Sequence, residues 1–206
     1  GSAPATPYTV NHKGFGPAWH NSLFEDNAEY GYGMWLASQT RRQKLAAQVL
    51  EALPEMSDDL QKLAKDWVGH LEDSEGTRAR AEKMKGMLAS EHFNSAKLDV
   101  IYKQKDQFVK PTQWIFGGDG WAYDIGFGGL DHVLSLTENV NILVLDTQCY
   151  SNTGGQASKA TPLGAVTKFG EHGKRKARKD LGVSMMMYGH VYVAQISLGA
   201  QLNQTV

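Results

Sequence analysis

The sequence predicts an α/β protein whose core is a doubly wound, mostly parallel sheet, preceded by an N-terminal arm and a helical insertion. After residue 112, short apolar runs alternate with polar loops and helical patterns, as in strand–loop–helix units. The run "VNILVLD" at 140–146 is apolar almost throughout, which is typical of a parallel strand covered on both faces. Sheets of this type bind ligands at the carboxyl ends of their strands, so candidate site residues are expected in the loops that follow.

Four segments are expected along the chain. They are an extended arm (1–20), a helical segment (21–56), a helical hairpin insertion (57–95) and an α/β core (96–206). Asn21 or Ser22 is a candidate cap for the first helix, and Pro54 marks its end. Ser57 is expected to cap the hairpin, which Gly76 interrupts. The hairpin has mixed charges and no catalytic constellation, so we interpret it as scaffold.

The α/β core is expected to alternate between strands and helices. The predicted elements are a short buried strand (113–118), a glycine-rich helix (124–137), a strand (140–146), a helix (176–189), a strand "HVYVAQI" (190–196) and the start of another helix (198–206). A long polar loop separates the second strand from the second helix.

Composition narrows the possible partners. The 206 residues are 41% hydrophobic and 21% charged, with a net charge of −1, which is ordinary for a globular protein. This balance predicts no nucleic-acid partner, and the lack of an apolar run near the ~20 residues of a membrane span predicts no membrane partner. The single cysteine, Cys149, cannot form an internal disulfide or hold an iron–sulfur cluster alone. With no visible signal peptide, we expect a cytoplasmic location.

Asp119 directly follows the first predicted strand and lies between Gly118 and Gly120. Asp-Gly is also a strong hairpin signal, but the residues after it follow a helical pattern instead of a second strand. A helix N-terminus beside glycines suits a phosphate, and an aspartate there suits a cation that bridges the phosphate. The dinucleotide pattern G-x-G-x-x-G is not met, because Tyr123 occupies its last position. A magnesium–diphosphate site is therefore favoured over a dinucleotide site.

A second polar loop, "DTQCYSNTGG", begins where the strand before it ends. Neighbouring parallel strands bring their carboxyl ends to one edge, so we expect Thr147 to lie near Asp119. Carboxylate, hydroxyl and carbonyl oxygens are the hard ligands that Mg²⁺ requires, and Asn152 adds an amide. Taken singly, Thr147, Ser151 and Asn152 are equally compatible with loop capping.

The two loops together resemble a known family. A G-D-G sequence followed about thirty residues later by a strand and an Asn-bearing loop resembles the thiamine diphosphate-binding motif. The stretches "GDGWAYDIGFGGLDHV…VNILVLDTQCYSNTGGQASKATP" and "GPAWHNSLFEDNAEYGYGM" are similar to the C-terminal domain of pyruvate:ferredoxin (flavodoxin) oxidoreductases. The resemblance implies a sheet of the thiamine diphosphate-binding type and makes 96–206 the cofactor-binding core.

The resemblance also implies roles for particular residues. Asp119 would bind Mg²⁺ together with the Thr147 side chain and the backbone carbonyl of Cys149. Asn152 would be the catalytic residue, close to the reactive carbon of the cofactor. The residues that would line the thiamine diphosphate, besides these four, are Gly118, Gly120, Trp121, Gln148, Tyr150 and Ser151.

The implied activity is the oxidative decarboxylation of pyruvate to acetyl-CoA and CO₂ in anaerobic metabolism. Electrons would pass through [4Fe–4S] clusters to ferredoxin or flavodoxin, and the parent enzyme would be a homodimer. In the family, the cluster cysteines, the acid that activates the cofactor and the residues that grip pyruvate lie outside this stretch. We therefore expect the chain to be a fragment that works with other domains of its parent polypeptide and is inactive in isolation.

Other interpretations remain open from the sequence. The parent could be another thiamine diphosphate-dependent 2-oxoacid oxidoreductase or a carboligase, or the chain could be a non-catalytic docking module. The basic run at 168–180 is interpreted as a solvated face, with a docking patch for acidic ferredoxin or for coenzyme A phosphates as the alternative. Asp124 and Asp131 are interpreted as capping or surface groups, and an indirect role in the site is left open for Asp124.

Overall fold

The computed structural model describes residues 25–197 and 199–205, together with positions 12, 14, 16, 20 and 22. The candidate cap Asn21 and most of the predicted arm therefore lie outside the described residues. The chain forms two compact units: residues 33–112 form one, and residues 1–32 with 113–206 form the other.

The unit of residues 33–112 is helical. Its elements are α1 (Asn27–Ala52), which begins in the other unit, α2 (Asp58–Gly69), α3 (Thr77–Glu91) and α4 (Ala96–Lys103), with 3₁₀ turns at Leu53–Glu55, His92–Asn94 and Lys105–Phe108. Ser57 caps α2 as predicted, because its Oγ accepts the Leu60 N–H at 3.4 Å. Gly76 precedes α3 with a left-handed φ of 70°, which confirms the predicted break.

The core of the helical unit is mainly apolar, with the Arg42 side chain buried beside it. The indole of Trp67 meets the ring of Phe108 edge-on at 5.1 Å, and its N–H donates to the Phe108 carbonyl at 2.9 Å. Around this pair pack further fully buried side chains: Leu45, Val49, Leu60, Met84, Leu88, Leu98 and Ile101. The helical spacing of such side chains in the sequence predicts α1, α2 and α3, but α4 is not predicted.

The second unit is the α/β part of the chain. It contains β1 (Gln113–Gly118), a π-helical turn (Gly120–Ile125), α5 (Phe127–Ser135), β2 (Val140–Leu145), α6 (Leu181–Met186) and α7 (Leu202–Thr205). β1 and β2 are paired in parallel, from Gln113 opposite Val140 to Gly118 opposite Leu145. The parallel pairing confirms the predicted α/β fold and both of its first strands.

The first turns of α1 belong to this unit. The helix begins at Asn27, later than the candidate cap Ser22, whose hydroxyl lies 3.2 Å from Asn27 Oδ1. Asn27 Nδ2 donates to the carbonyl of Phe116 in β1 at 2.7 Å. Gly31 allows close contact with the same strand, because a Cβ there would lie 2.7 Å from Cδ1 of Ile115.

Three sequence expectations are wrong in detail. The glycine-rich helix predicted at 124–137 is divided into the π-helical turn and α5, and the helix predicted at 176–189 is reduced to α6. Residues 190–196 form no strand. The His190 imidazole contacts the carbonyls of Leu134 and Leu136 at 3.0 and 3.2 Å, which holds the start of this segment to the end of α5.

The strand at 140–146 is also less covered than its composition suggests. β2 is half-buried, and Leu145 at its end is 55% exposed. Since β1 is the only strand paired with β2 among the described residues, one edge of β2 is left without a neighbouring strand.

In the described part of the chain, none of the helices combines the length and apolar character needed to cross a membrane.

Candidate cofactor site

The register of the sheet brings the two predicted loops together. Gly118 and Leu145, the last residues of β1 and β2, lie opposite each other, so the chain leaves both strands at one edge. Thr147 then donates two hydrogen bonds to Oδ1 of Asp119, from its N–H at 3.3 Å and from its hydroxyl at 3.0 Å. The predicted proximity of Asp119 and Thr147 is confirmed.

Oxygen atoms converge on the Thr147 hydroxyl. Its Oγ1 lies 3.0 Å from Asp119 Oδ1, 3.1 Å from the Cys149 carbonyl and 2.6 Å from Ser151 Oγ. A hydroxyl has one proton, so Thr147 cannot donate to the Asp119 carboxylate and the Cys149 carbonyl at once. A divalent cation would satisfy the remaining lone pairs, and this set of carboxylate, hydroxyl and carbonyl oxygens is of the kind that Mg²⁺ prefers. The residues present therefore fit a magnesium site.

No other type of metal centre competes with this cluster in the described residues. They contain no group of three or more His, Cys, Asp or Glu side chains placed to hold a metal ion. In the oxygen cluster around Thr147, Asp119 supplies the carboxylate, and hydroxyl and carbonyl oxygens supply the rest.

Asp119 itself is buried, with 1% of its surface exposed. Burying a carboxylate is costly unless the group is hydrogen-bonded. Besides the two bonds from Thr147 to Oδ1, Oδ2 accepts a hydrogen bond of 2.5 Å from the hydroxyl of Ser158. Both carboxylate oxygens are thus held, and Oδ1 is the one that faces the oxygen cluster.

The glycines around Asp119 make room for aromatic rings. A Cβ on Gly120 would lie 2.5 Å from the Tyr150 ring, and a Cβ on Gly117 would lie 2.7 Å from two ring atoms of Trp121. Gly118 differs, since its nearest neighbour would be the Leu145 carbonyl at 4.0 Å. Of these three glycines, Gly118 is the one that leaves open space beside Asp119.

Both aromatic rings have distinctive polar groups. Trp121 is 1% exposed, and its Nε1–H is buried without a hydrogen-bond partner among the described residues. Burial, and after it the nearby carboxylates of Asp124 and Asp119, together raise the pKa of the half-buried Tyr150 phenol to about 12. Tyr150 is therefore a neutral hydrogen-bond donor throughout the physiological range.

Gln148 adopts a left-handed backbone conformation, with φ at 64°. Non-glycine residues rarely adopt this conformation, which costs on the order of 1 kcal/mol and is frequent at functional sites. The Gln148 N–H donates to Oδ1 of Asp146 at 3.1 Å, and its carbonyl accepts a hydrogen bond from the hydroxyl of Thr161. These two bonds hold the peptide that leads into Cys149.

Ser151 and Asn152 are exposed in the turn that follows Tyr150. The turn is closed by the Gly155 N–H, which donates to the Tyr150 carbonyl at 2.8 Å. Only Ser151 reaches the oxygen cluster, through Thr147. The catalytic role of Asn152 stays a prediction.

Sequence reasoning missed several residues that surround the site. Ser158 and Thr161 are buried beneath it, and Asp146 accepts hydrogen bonds from Tyr123 at 3.1 Å and from Arg178. The spacing Ser158-x-x-Thr161 before Pro162 is typical of hydroxyls that bond to nearby backbone, so this signal was present in the sequence.

The structure also shows the hydrogen-bond partners of Asp124 and Asp131. Asp124 accepts hydrogen bonds from the backbone N–H of Lys159 at 2.9 Å and from its ammonium group at 2.7 Å. Asp131 accepts one from the Tyr188 hydroxyl at 2.6 Å, which raises the pKa of that phenol. Asp124 therefore fixes the segment that carries Ser158, and Asp131 ties α5 to the residues after α6.

Comparison with known proteins identifies the family. A family model described as "Thiamine pyrophosphate enzyme, C-terminal TPP binding domain" matches residues 97–206, more than half of the chain. The chain belongs to this family. Membership supports thiamine diphosphate as the cofactor of the site described above.

Curated relatives are similar along the whole chain. A probable pyruvate-flavodoxin oxidoreductase of Escherichia coli strain K12 is 62% identical over 206 residues. A pyruvate-flavodoxin oxidoreductase of Klebsiella pneumoniae is 54% identical over 206 residues, and a pyruvate:ferredoxin oxidoreductase of Moorella thermoacetica is 51% identical over 211 residues. These alignments cover 99–100% of this chain but 17–18% of the relatives, so the chain spans less than a fifth of their length.

Proposed function

We propose that the chain is the thiamine diphosphate- and Mg²⁺-binding part of an enzyme that oxidatively decarboxylates pyruvate to acetyl-CoA and CO₂. The observation that carries the proposal is the convergence of Asp119, Thr147 and the Cys149 carbonyl at one edge of a parallel sheet, in a thiamine pyrophosphate-binding domain. Pyruvate as substrate, and flavodoxin or ferredoxin as electron acceptor, are supported by the names of the similar relatives.

Each part of the site has a proposed role. Asp119 Oδ1, Thr147 Oγ1 and the Cys149 carbonyl hold Mg²⁺, which neutralises diphosphate charge. Asn152, exposed beside this cluster, donates its amide N–H to the substrate oxygen on which negative charge develops. Thiamine diphosphate, when bound, supplies the electron sink for loss of CO₂. The diphosphate pocket is lined by Gly118, Gly120, Trp121, Gln148, Tyr150 and Ser151.

The remaining steps belong to the whole enzyme. [4Fe–4S] clusters would take the electrons from the cofactor, and coenzyme A would take the acetyl group. Cys149 offers its backbone carbonyl to the cation, and we do not assign its thiol to an iron–sulfur cluster. Coenzyme A, the clusters and a homodimeric parent remain predictions.

Calorimetry on the full chain tests the cofactor site. Thiamine diphosphate is titrated with and without Mg²⁺ into the wild-type chain, into Asp119→Ala and into Asp131→Ala as the control carboxylate of the same unit. We expect Mg²⁺-dependent binding in the wild type and the control, and its loss in Asp119→Ala, because the carboxylate of the oxygen cluster is gone. Equal binding by Asp119→Ala and the wild type would contradict the proposal.

Turnover by the whole enzyme tests the reaction. Asp119→Ala is expected to abolish CO₂ release from pyruvate together with reduction of flavodoxin or ferredoxin. Faster turnover of another 2-oxoacid than of pyruvate would instead favour a different oxidoreductase of this family. Cofactor binding without turnover of any 2-oxoacid by the whole protein would favour a docking module.

A further inference from the structure

Ser158 and Thr161 connect the two loops of the site from beneath, and we propose that both are positioning residues for the bound cation. The proposal rests on the proposed function, because it concerns the same cluster around Asp119. Both side chains are buried, Ser158 with 4% and Thr161 with 1% of its surface exposed. Neither residue is itself a ligand of the cation: each acts through a group that is.

Neighbouring backbone groups fix the direction of the Ser158 hydroxyl. Its Oγ accepts the N–H of Ala160 at 3.1 Å, which occupies one lone pair. Its single proton is then directed to Asp119 Oδ2 at 2.5 Å. Ser158 is therefore a dedicated donor to the oxygen of Asp119 that points away from the cluster.

The Thr161 hydroxyl is directed in the same way. Its Oγ1 accepts the N–H of Ser158 at 2.9 Å, and its own proton is donated to the carbonyl of Gln148. Gln148 has the left-handed φ of 64°, and the next residue is Cys149, whose carbonyl lies 3.1 Å from Thr147 Oγ1. Thr161 thus holds the strained peptide that precedes the backbone ligand.

These hydrogen bonds fix the orientation of cation ligands that could otherwise rotate. The terminal torsion of an aspartate is broad, so a carboxylate needs an outside partner to keep one oxygen aimed in one direction. Ser158 gives Asp119 that partner on Oδ2 and leaves Oδ1 in the cluster with Thr147. Groups that orient metal ligands in this way affect metal affinity by roughly 10–100-fold when they are removed.

The test measures the Mg²⁺ concentration that gives half-saturation, by calorimetry on the full chain at a fixed, saturating concentration of thiamine diphosphate. The variants are Ser158→Ala, Thr161→Val, which keeps the shape without the hydroxyl, and Thr161→Ser, which keeps the hydroxyl. Ser184→Ala is the matched control, because its hydroxyl donates to the Asp180 carbonyl at 2.8 Å, outside the cluster. Thermal unfolding without Mg²⁺ is measured for each variant.

We expect half-saturation to rise roughly 10–100-fold in Ser158→Ala and in Thr161→Val, and to stay within about twofold of wild type in Thr161→Ser and Ser184→Ala. Unchanged half-saturation in Ser158→Ala and Thr161→Val, even with lower unfolding temperatures, would overturn the inference and leave them a purely structural role. Should Ser158→Ala fail to fold, the contrast between Thr161→Val and Thr161→Ser decides the matter. A whole enzyme that binds thiamine diphosphate equally well with and without Mg²⁺ would overturn the proposed function, and this inference with it.

Discussion

At the scale of single residues, the site depends on polar groups whose partners are fixed by backbone geometry. Asp119 is buried, yet three donated hydrogen bonds reach its two oxygens. Buried charge is tolerable under such conditions, because each donor replaces part of the lost hydration. A carboxylate held in this way is prepared for a cation before the cation arrives, which lowers the cost of ordering the site on binding.

Tyr150 leads to a prediction about stability at high pH. Burial and the carboxylates of Asp124 and Asp119 raise its folded-state pKa to about 12, from an ordinary value near 10. The folded state therefore keeps the phenol proton more tightly than the unfolded chain does. This contribution is complete below about pH 10 and is lost as the pH rises from about 10 to about 12. After allowance for solvent screening of a half-buried group, we expect a loss on the order of 1 kcal/mol in the free energy of unfolding.

Urea unfolding of the cofactor-free chain between about pH 9 and pH 11.5 measures this effect. Tyr150→Phe lacks the ionisable group, so its free energy of unfolding should fall less steeply over the same range. Tyr188→Phe is a useful comparison, since the pKa of that phenol is raised by its hydrogen bond to Asp131 and not mainly by burial. Identical slopes for the wild type and Tyr150→Phe would contradict the assignment.

At the scale of elements, the end of β1 and the π-helical turn after it are shaped by one indole ring. The Trp121 side chain is buried against Gly117 and Gly126, and a Cβ on either glycine would overlap its ring. The glycine pattern of this stretch, which the sequence associates with backbone close to a phosphate, thus also has a packing explanation. Close packing around a rigid ring tolerates no added methyl group without displacement.

Gly117→Ala tests this packing explanation. The new methyl group would lie 2.7 Å from ring atoms of Trp121, which neighbours Asp119, so the ring or the strand must move. We expect a loss of about 1–3 kcal/mol in the free energy of unfolding, together with weaker Mg²⁺-dependent binding of thiamine diphosphate. Gly128→Ala is the matched control, because nothing lies within 4 Å of its Cβ position in α5. That change should be neutral or stabilising by up to about 1 kcal/mol, and equal losses in both variants would refute the explanation.

At the scale of the whole molecule, sequence patterns predict the elements whose formation depends on local interactions. The apolar runs predict β1 and β2, and the parallel register then brings Asp119 to Thr147 across 28 positions. The contribution of Ser158 depends on a contact 39 positions away from Asp119, and no periodicity announces such a contact. The strand expected at 190–196 is absent, and the first residue of that segment, His190, is bonded to the end of α5, a contact 54–56 positions away that no local pattern indicates.

The division of the molecule into two units separates most of the helical core from the chemistry. The apolar core of residues 33–112 is a cluster of buried side chains from that unit alone, and every residue assigned to the site lies in the other unit. Leu88→Ala removes a fully buried side chain from the helical core and should cost about 2–5 kcal/mol in the stability of that unit. Because the site residues take their geometry from β1, β2 and the loops after them, the affinity for Mg²⁺ and thiamine diphosphate should stay within about twofold of wild type at temperatures where the variant is folded.

Circular dichroism measures the stability of the helices, and calorimetry measures the binding. Leu50→Ala, at a side chain that is 46% exposed, is the control. A parallel loss of helix stability and cofactor affinity in Leu88→Ala would mean that the helical unit helps to shape the site, and the two units would then have to be treated as one cooperative structure.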